Sequence, residues 1–453
     1  MSQNKNEDTI CALATPNGVG AIGVIRISGS KSFEIVSKLF SKNLLGLNSH
    51  TIHFGSISSA GGELIDEVLV SVFKDGRSFT GEESVEVSCH GSPYIQKEII
   101  KLLIQGGARM ASPGEFTLRA FLNGKIDLSQ AEAVADLIAS ESQKAHQIAL
   151  NQLKGNFSSE LKELREKLIN FASLVELELD FGEEDVEFAN RDDLEGLVDG
   201  VLKYLKRLVK SFDLGNAIKK GVPVAIVGAP NTGKSTLLNQ LLGDDRAIVS
   251  DIEGTTRDSV EETINIDGIL FRLIDTAGIR EGAEEIEAIG IERSLEKIKQ
   301  ASIVLCMADA SNKNNVNEVS LWAEKLKKED PEKCVLIILN KIDISKLRIK
   351  DAVCLSAKTG KNINKLKELL VSEVQGDFKL GDETIVSNSR HYQSLTKTIE
   401  SLEKTKESLT SGVSGDFVAM DIRQAMFHLG SITNDISTDD LLGNIFSNFC
   451  IGK

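Results

Sequence analysis

No run of this chain approaches the roughly 18 consecutive apolar residues that a membrane-spanning helix needs, so no segment is expected to cross a bilayer. The opening MSQNKNEDTICALATP has no basic flank, no apolar core and no cleavage site, and is read as carrying no export signal. The six cysteines, Cys11, Cys89, Cys306, Cys334, Cys354 and Cys450, form no CxxC pair. That argues against a disulfide framework and a zinc site, and fits a reducing, cytoplasmic setting. Positive charge is short as well: 52 Lys and Arg against 67 Asp and Glu leave a net charge of −15. Such a field repels nucleic-acid phosphates, so an RNA substrate would need a local basic patch or a partner to hold it. Internal repeats, low-complexity tracts and a dinucleotide-binding glycine fingerprint are also missing. What is present, 41% hydrophobic and 26% charged residues over 453 positions, is ordinary for globular protein and allows about three domains.

The texture changes three times along the chain. Residues 1–120 mix β-like runs (AIGVIRIS, VLVSVF, SVEVSCH) with one helical stretch, PYIQKEIIKLLIQGGA, separated by NG, GG and DG turn signals. A small α+β domain is expected there. Residues 121–215 carry apolar residues at three-to-four spacing, and from 122 to 180 lack proline altogether. Long helices are expected, with Gly155 as the only break before Gly182. Residues 216–377 alternate strands and helices, beginning at VPVAIVGAP. Helical periodicity returns over 378–453 in SLTKTIESLEKTKESL, DFVAMDIRQAMFHLGSI and STDDLLGNIFSNF. The economical topology is a multidomain chain in which an α/β domain is inserted between two halves of one all-α helical domain.

The inserted block carries phosphate chemistry. GAPNTGKS (228–235) follows an apolar strand and precedes the helix TLLNQLL, the context that makes a G-x-x-x-x-G-K-S motif meaningful. Its backbone N–H groups, through Asn231, Thr232 and Gly233, close around a β-phosphate. Lys234 reaches the β- and γ-phosphates, and the Ser235 hydroxyl beside Thr236 is a Mg²⁺ ligand. Thr256 in GTTRD offers a second Mg²⁺ hydroxyl. Asp275 in Asp275-Thr276-Ala277-Gly278 can hold the metal's outer shell, while the Gly278 N–H senses the γ-phosphate. Asn340, Lys341 and Asp343 of NKID, with Ser356, Ala357 and Lys358 of SAK, form a base pocket. The Asp343 carboxylate can accept two hydrogen bonds from guanine that adenine cannot supply. The motifs in this order resemble the Ras-like GTPases, and GTP is the implied nucleotide. Where many relatives place a water-orienting glutamine, position 279 is isoleucine. Two replacements stand out. The Asn231 amide and the segment Ser250-Asp251-Ile252-Glu253-Gly254-Thr255 could surround a monovalent cation in place of an arginine finger. Glu281, Glu284, Glu285 and Glu287 are candidates for activating water, and residue chemistry does not choose among them.

The whole architecture, through ATPNGVGAIGVIRISG, FTGEES, SPGEFTLRAFLNGKIDLSQAEAVADLI, the G motifs and DLLGNIFSNFCIGK, resembles the tRNA-modification GTPase family MnmE, also called TrmE. The resemblance implies a K⁺-dependent GTPase whose G domains dimerise head to head. Asn231, Ser250, Ile252 and Thr255 would hold K⁺, Glu287 would orient the catalytic water, and Arg280 follows DTAGI as in the family. It implies an N-terminal domain that dimerises and binds a tetrahydrofolate, with Arg26, Glu82 and Lys125 on the folate-contacting positions. The tail, behind a helix with a Ser437-x-x-Asp440 start, would bring Lys453 to the same site and Cys450 as a candidate nucleophile. It also implies a flavoprotein partner, MnmG (GidA), in a heterotetrameric or larger complex. That partner would supply FAD and NADH chemistry and most of the tRNA grip. This chain's 5,10-methylenetetrahydrofolate, or 5-formyltetrahydrofolate as analogue, would supply a carbon for a carboxymethylaminomethyl or aminomethyl group at C5 of the wobble uridine. Two rivals share the G motifs. A ribosome-assembly GTPase predicts a basic RNA-binding module, whereas the flanks here are acidic helix. A pure interaction switch leaves Cys450 and the folate-like constellation without a use.

Overall fold

The computed structural model describes residues 8–59, 61–180, 191–245, 262–274, 298–331, 333–376, 384–411, 413, 415–433, 442, 445–446, 449 and 452. The chain forms two compact units. One comprises Met1–Ala135, Gln152–Glu166 and Met426–Lys453, the other Asp136–Asn151 and Lys167–Ala425.

The first unit is built on a six-stranded sheet of order β3-β4-β5-β2-β1-β6. Its strands are β1 (Ile10–Leu13), β2 (Ile22–Ser28), β3 (Thr51–Ser58), β4 (Leu64–Phe73), β5 (Ser84–His90) and β6 (Arg109–Met110). Every pairing is antiparallel except β1 with β6. Alternation along the strands sends Ile25, Ile27, Val68, Val70, Val72, Val85 and Val87 to one face. There they pack on Phe33 and Val36 of α1 (Ser32–Leu39) and on Ile99, Leu102 and Leu103 of α2 (Pro93–Gln105). Each such side chain stabilises the fold by about 1.5–3 kcal/mol when fully buried. On the other face Ile10, Ala12 and Ala111 pack on Phe116 of α3 (Glu115–Leu122), while Ile52, Phe54 and Leu69 remain exposed.

Three helices follow: α4 (Leu128–Ile138), α5 (Gln143–Leu153) and α6 (Asn156–Asp180). Gly155 breaks the last two, as its position suggests. A second break at 139–142 was not legible from periodicity. Two serines make it: Ser140 Oγ donates to the Leu137 carbonyl (2.7 Å), and Ser142 Oγ accepts from the Ala145 N–H (3.2 Å). Hydroxyls of this kind compete with the helix ladder and favour helix ends.

The second unit contains a second six-stranded sheet, of order β12-β11-β10-β7-β9-β8. Its strands are β7 (Val222–Gly228), β8 (Glu262–Ile266), β9 (Ile269–Leu273), β10 (Ile303–Asp309), β11 (Cys334–Asn340) and β12 (Ala352–Cys354). All neighbours run parallel except β8 with β9. Both faces are buried. Val224, Ile226, Leu305 and Met307 face Leu237, Leu238 and Leu241 of α9 (Lys234–Asp245) and Leu366 and Leu370 of α11 (Ile363–Gln375). Ala225, Val227, Val304, Cys306 and Leu339 face Val316, Val319 and Ala323 of α10 (Lys313–Glu329). Crossovers between parallel strands require this covering on two sides, hence the continuous apolar strands IVLCMAD and CVLIILN.

The helices that flank this sheet in sequence meet each other. α7 (Arg191–Lys210) lies against α12 (Ser389–Thr410), joined by Lys206–Glu403 and Lys406–Asp199 ion pairs at 2.6 Å. Just beyond α7, α8 (Phe212–Lys220) brings the Phe212 ring within 4.5 Å of the Tyr392 ring. Further along the chain, α13 spans Gly415–Thr433.

Candidate functional sites

The parallel sheet brings its motifs together at the carboxyl ends of its strands, the general position of ligand sites in such sheets. β7 runs into the loop Ala229–Gly233, and α9 begins at Lys234. Asn231 stands exposed on this loop in the left-handed region (φ 61°). Thr232 is buried and donates from Oγ1 to the Ala229 carbonyl (2.8 Å). Lys234 Nζ donates to the carbonyls of Gly228 (2.8 Å) and Ala229 (3.0 Å), so the cation is held at the loop's mouth. Ser235 and Thr236 follow, exposed, in the first turn of α9. Oxygen donors of this kind suit Mg²⁺ at Ser235 and a larger monovalent cation at Asn231.

Asn340, at the end of β11, ties three motifs together. Its Nδ2 donates to the Thr232 carbonyl (2.8 Å) and its Oδ1 accepts from the Ala357 N–H (2.9 Å). The phosphate loop must therefore lie directly on it. A Cβ at Gly233, where φ is +99°, would come within 2.3 Å of Asn340 Nδ2. Glycine is needed at that position for contact with Asn340 as well as for access to phosphate. Lys341, also left-handed (φ 66°), is fixed by an ion pair from Nζ to Asp309 Oδ2 at 2.6 Å. Burial raises the Asp309 carboxyl, but Lys341 and the Ser311 hydroxyl and N–H outweigh it and hold the group below its ordinary value. Asp309 was not among the residues singled out by motif. Its signal is its place at the end of an apolar strand, in register with Asn340. Asp343 is exposed. A hydrogen bond from the Ser356 hydroxyl, then its own backbone N–H and the nearby Lys358 and Lys341, hold its carboxyl below the usual range. The group is therefore ionised at neutral pH, as a double acceptor for guanine must be.

Ser250, Asp251, Ile252, Glu253, Gly254, Thr255 and Thr256 lie outside the described residues. So do Asp275, Thr276, Ala277, Gly278, Arg280 and all four glutamates from Glu281 to Glu287. β8 begins just after the first group, and β9 ends two residues before Asp275.

The antiparallel sheet carries the second constellation on its more open face. Arg26 on β2 pairs in register with Glu86 on β5, and its guanidinium bonds Glu86 Oε1 at 2.8–2.9 Å. The same guanidinium lies 5.7 Å from the ring centroids of both Phe79 and Phe116. Glu82 is also committed. Its Oε2 accepts from the Ser28 hydroxyl (2.8 Å), and both its oxygens face Arg119 Nη1 at 3.2–3.3 Å. Sequence reasoning passed over Arg119, which is 2% exposed and bonds Asp8, Glu115 and Glu82 together. Its trace in the sequence is a guanidinium on the buried side of the apolar helix EFTLRAFL. Burial raises the Glu115 carboxyl, but Arg109, the Ser112 N–H and Arg119 prevail and lower it. Lys125 is exposed and donates to the Gly76 carbonyl (3.1 Å), while Asn123 donates to the Thr80 carbonyl (2.8 Å). Together they hold the loop that carries Glu82. Cys450 and Lys453 lie outside the described residues, but Gly452 between them is buried against Leu13 and Ala14.

Residues 9–125 match the family described as GTP-binding protein TrmE N-terminus, and residues 128–450 the MnmE helical domain. The chain belongs to the MnmE family. Full-length relatives agree. A Christiangramia forsetii protein called tRNA modification GTPase MnmE is 53% identical, covering 99% of this chain and 100% of its own length. Proteins of the same name from Cytophaga hutchinsonii and Bacteroides thetaiotaomicron are 52% and 48% identical, over 98% and 99% of this chain and 98% and 100% of their own lengths. In MnmE terms, the parallel sheet carries the described part of the GTP motifs, and the TrmE N-terminal match spans the sheet that carries Arg26 and Glu82.

Proposed function

We propose that this chain is a GTPase that takes part in tRNA modification and that its parallel sheet is a Ras-like G domain inserted into a helical domain. The observation that carries the GTPase reading is the Asn340 junction. One buried amide joins the phosphate loop, the base-reading strand end and the SAK turn, with an ionised Asp343 beside it. In this reading Lys234 neutralises the β- and γ-phosphates, and Ser235 and Thr256 hold Mg²⁺. Asn231, Ser250, Ile252 and Thr255 hold K⁺, and Glu287 orients the attacking water. Mg²⁺ and K⁺ would supply charge neutralisation across the β–γ bridge. The pairing of α7 with α12 supports the insertion, because residues far apart in sequence join there in one helical layer.

The finer reading is a wobble-uridine modification run with the flavoprotein MnmG. Arg26, Glu82, Lys125 and Lys453 would bind the folate, which would supply a methylene carbon. In support, Arg26 and Glu82 lie on one side of the antiparallel sheet, flanked by the exposed Phe79 ring, on which a flat heterocycle could stack, while the buried Phe116 ring backs the Arg26 guanidinium. Both charges are already paired, so a pterin would share Glu82 with Arg119 and Ser28. The exposed Ile52, Phe54 and Leu69 support dimerisation through this domain. Among the described residues no helix is long and apolar enough to cross a membrane.

Two measurements test this. GTP turnover should require K⁺ and fail in Na⁺. Calorimetry should show 5-formyltetrahydrofolate binding to the whole chain and weaker binding to a chain ending at Phe449. Equal turnover in both salts would remove the K⁺ reading. An absence of folate binding would leave a GTPase of different purpose.

A further inference from the structure

The end of the chain makes two close contacts within the first unit. Phe446 packs with Phe121, Leu128 and Ala131, and the Phe449 ring lies 5.3 Å from that of Phe446. Both residues press on the start of α3, where a Cβ at Gly114 would come within 2.8 Å of the Phe446 carbonyl oxygen and 2.9 Å of Phe449 Cβ. Three residues beyond Phe449, Gly452 makes the tighter contact. It is buried at φ +97°, and a Cβ on it would stand 2.2 Å from the Leu13 carbonyl oxygen and 3.0 Å from the Leu13 carbonyl carbon.

The neighbour in that contact is backbone and cannot swing away. Leu13 closes the β1–β2 ladder opposite Ile25, and the Ala14 N–H donates to the Val24 carbonyl at 2.7 Å. Arg26 is two residues further along β2, opposite Ala12. A side chain at 452 would therefore meet two independent objections, a left-handed backbone and a fixed carbonyl.

We propose that Gly452 is a seating residue. Its missing side chain lets the tail lie on the β1 backbone of its own chain, beside the strand pair that carries Arg26. Phe449 and Gly452 clip the tail at two points, and Cys450 is covalently confined between them, with Lys453 directly following. The seat is a positioning device, and its chemical purpose rests on the folate reading above.

The test compares the full-length protein, Gly452→Ala and a chain ending at Phe449. Hydrogen exchange of the peptides covering 442–453 and 9–24 reads the seat, as does iodoacetamide labelling of Cys450 mapped by mass spectrometry. Gly452→Ala should raise tail exchange and Cys450 labelling by about tenfold or more, as local opening does, with GTP turnover serving as the check that the chain is folded. Wild-type values of both in Gly452→Ala would overturn the seat. Folate calorimetry then separates the two ideas. A loosened tail with binding reduced to that of the truncated chain supports seat and reading together. A loosened tail with unchanged folate binding and tRNA modification keeps the seat and sinks the folate role of the tail.

Discussion

The two sheets have six strands each, yet they hold their functional groups in opposite ways. The parallel sheet is buried on both faces, so only its strand ends can meet a ligand. Its polar groups come from short loops that each continue one strand: Asn231 to Ser235 after β7, Asp309 ending β10, Asn340 to Asp343 after β11, Ser356 to Lys358 after β12. The antiparallel sheet is open over much of one face. There the charged groups stand on the face, as Arg26 does, or on the loop leading into β5, as Glu82 does, and each is neutralised by a residue from a distant stretch: Arg26 by Glu86, Glu82 by Arg119. One arrangement gathers its polar groups at strand ends, with Lys234 held by loop carbonyls and Lys341 by Asp309. The other is a network of ion pairs, into which a ligand must enter by sharing.

That contrast can be broken by substitution. The largest effect is expected from Lys234→Met, which removes the cation held at the mouth of the Ala229–Gly233 loop. GTP turnover should fall by about a thousandfold in a phosphate-release assay, while hydrogen exchange in the antiparallel sheet stays as it was. Arg119→Met should do the reverse. It leaves Asp8, Glu82 and Glu115 facing one another around a buried gap, and removing one partner of a buried ion pair costs about 3–5 kcal/mol. Exchange of β1, β2 and β5 should rise steeply with GTP binding preserved. Equal damage to both sites by either variant would end the comparison.

Smaller effects sharpen it. Asn340→Ala strips a buried carbonyl and a buried N–H of their partners and should cost about 1–3 kcal/mol, read as a lower melting temperature. That loss should shrink when GTP is added, because binding energy opposes loosening of the loop. Acid should act on the antiparallel sheet through Glu115, whose carboxyl is held below its ordinary value of 4.5. A lowered carboxyl contributes stability that is present above the ordinary value and lost as pH falls through the lowered one. Protection of β1 and β6 should therefore hold at neutral pH and decay only below about 4.5, with Glu115→Gln flattening the profile. Lys341→Ala should be the mildest, up to about 1 kcal/mol, since its pair with Asp309 is partly exposed.

Much of the nucleotide site was readable in the sequence because each of its motifs is local. GAPNTGKS and NKID are contiguous, and strand-loop-helix geometry aims them without outside help. The apolar runs around them announce a covered parallel sheet for the same reason. Asp309 was harder, since a lone aspartate at a strand end has no motif. The folate-like constellation was readable only through family likeness. Arg26, Glu82 and Lys125 are far apart in sequence, and nothing local says that β2 lies beside β5 or that α3 faces them. Ser140 and Ser142 broke a helix that periodicity alone would have continued, because hydroxyl bonds to the backbone leave no trace in apolar spacing.

By itself, then, the sequence determined the G-x-x-x-x-G-K-S and NKID motifs and the succession of helical and alternating segments. Those depend on neighbours within a few residues. Only the tertiary structure decided that Asn340 would join three motifs, that Arg119 would hold Glu82, and that Gly452 would rest on Leu13. Each depends on contacts between residues well separated in sequence, from 17 positions for Asn340 with Ala357 to 108 for Asn340 with Thr232, and such contacts exist only once strand pairing has selected which side chains share a face.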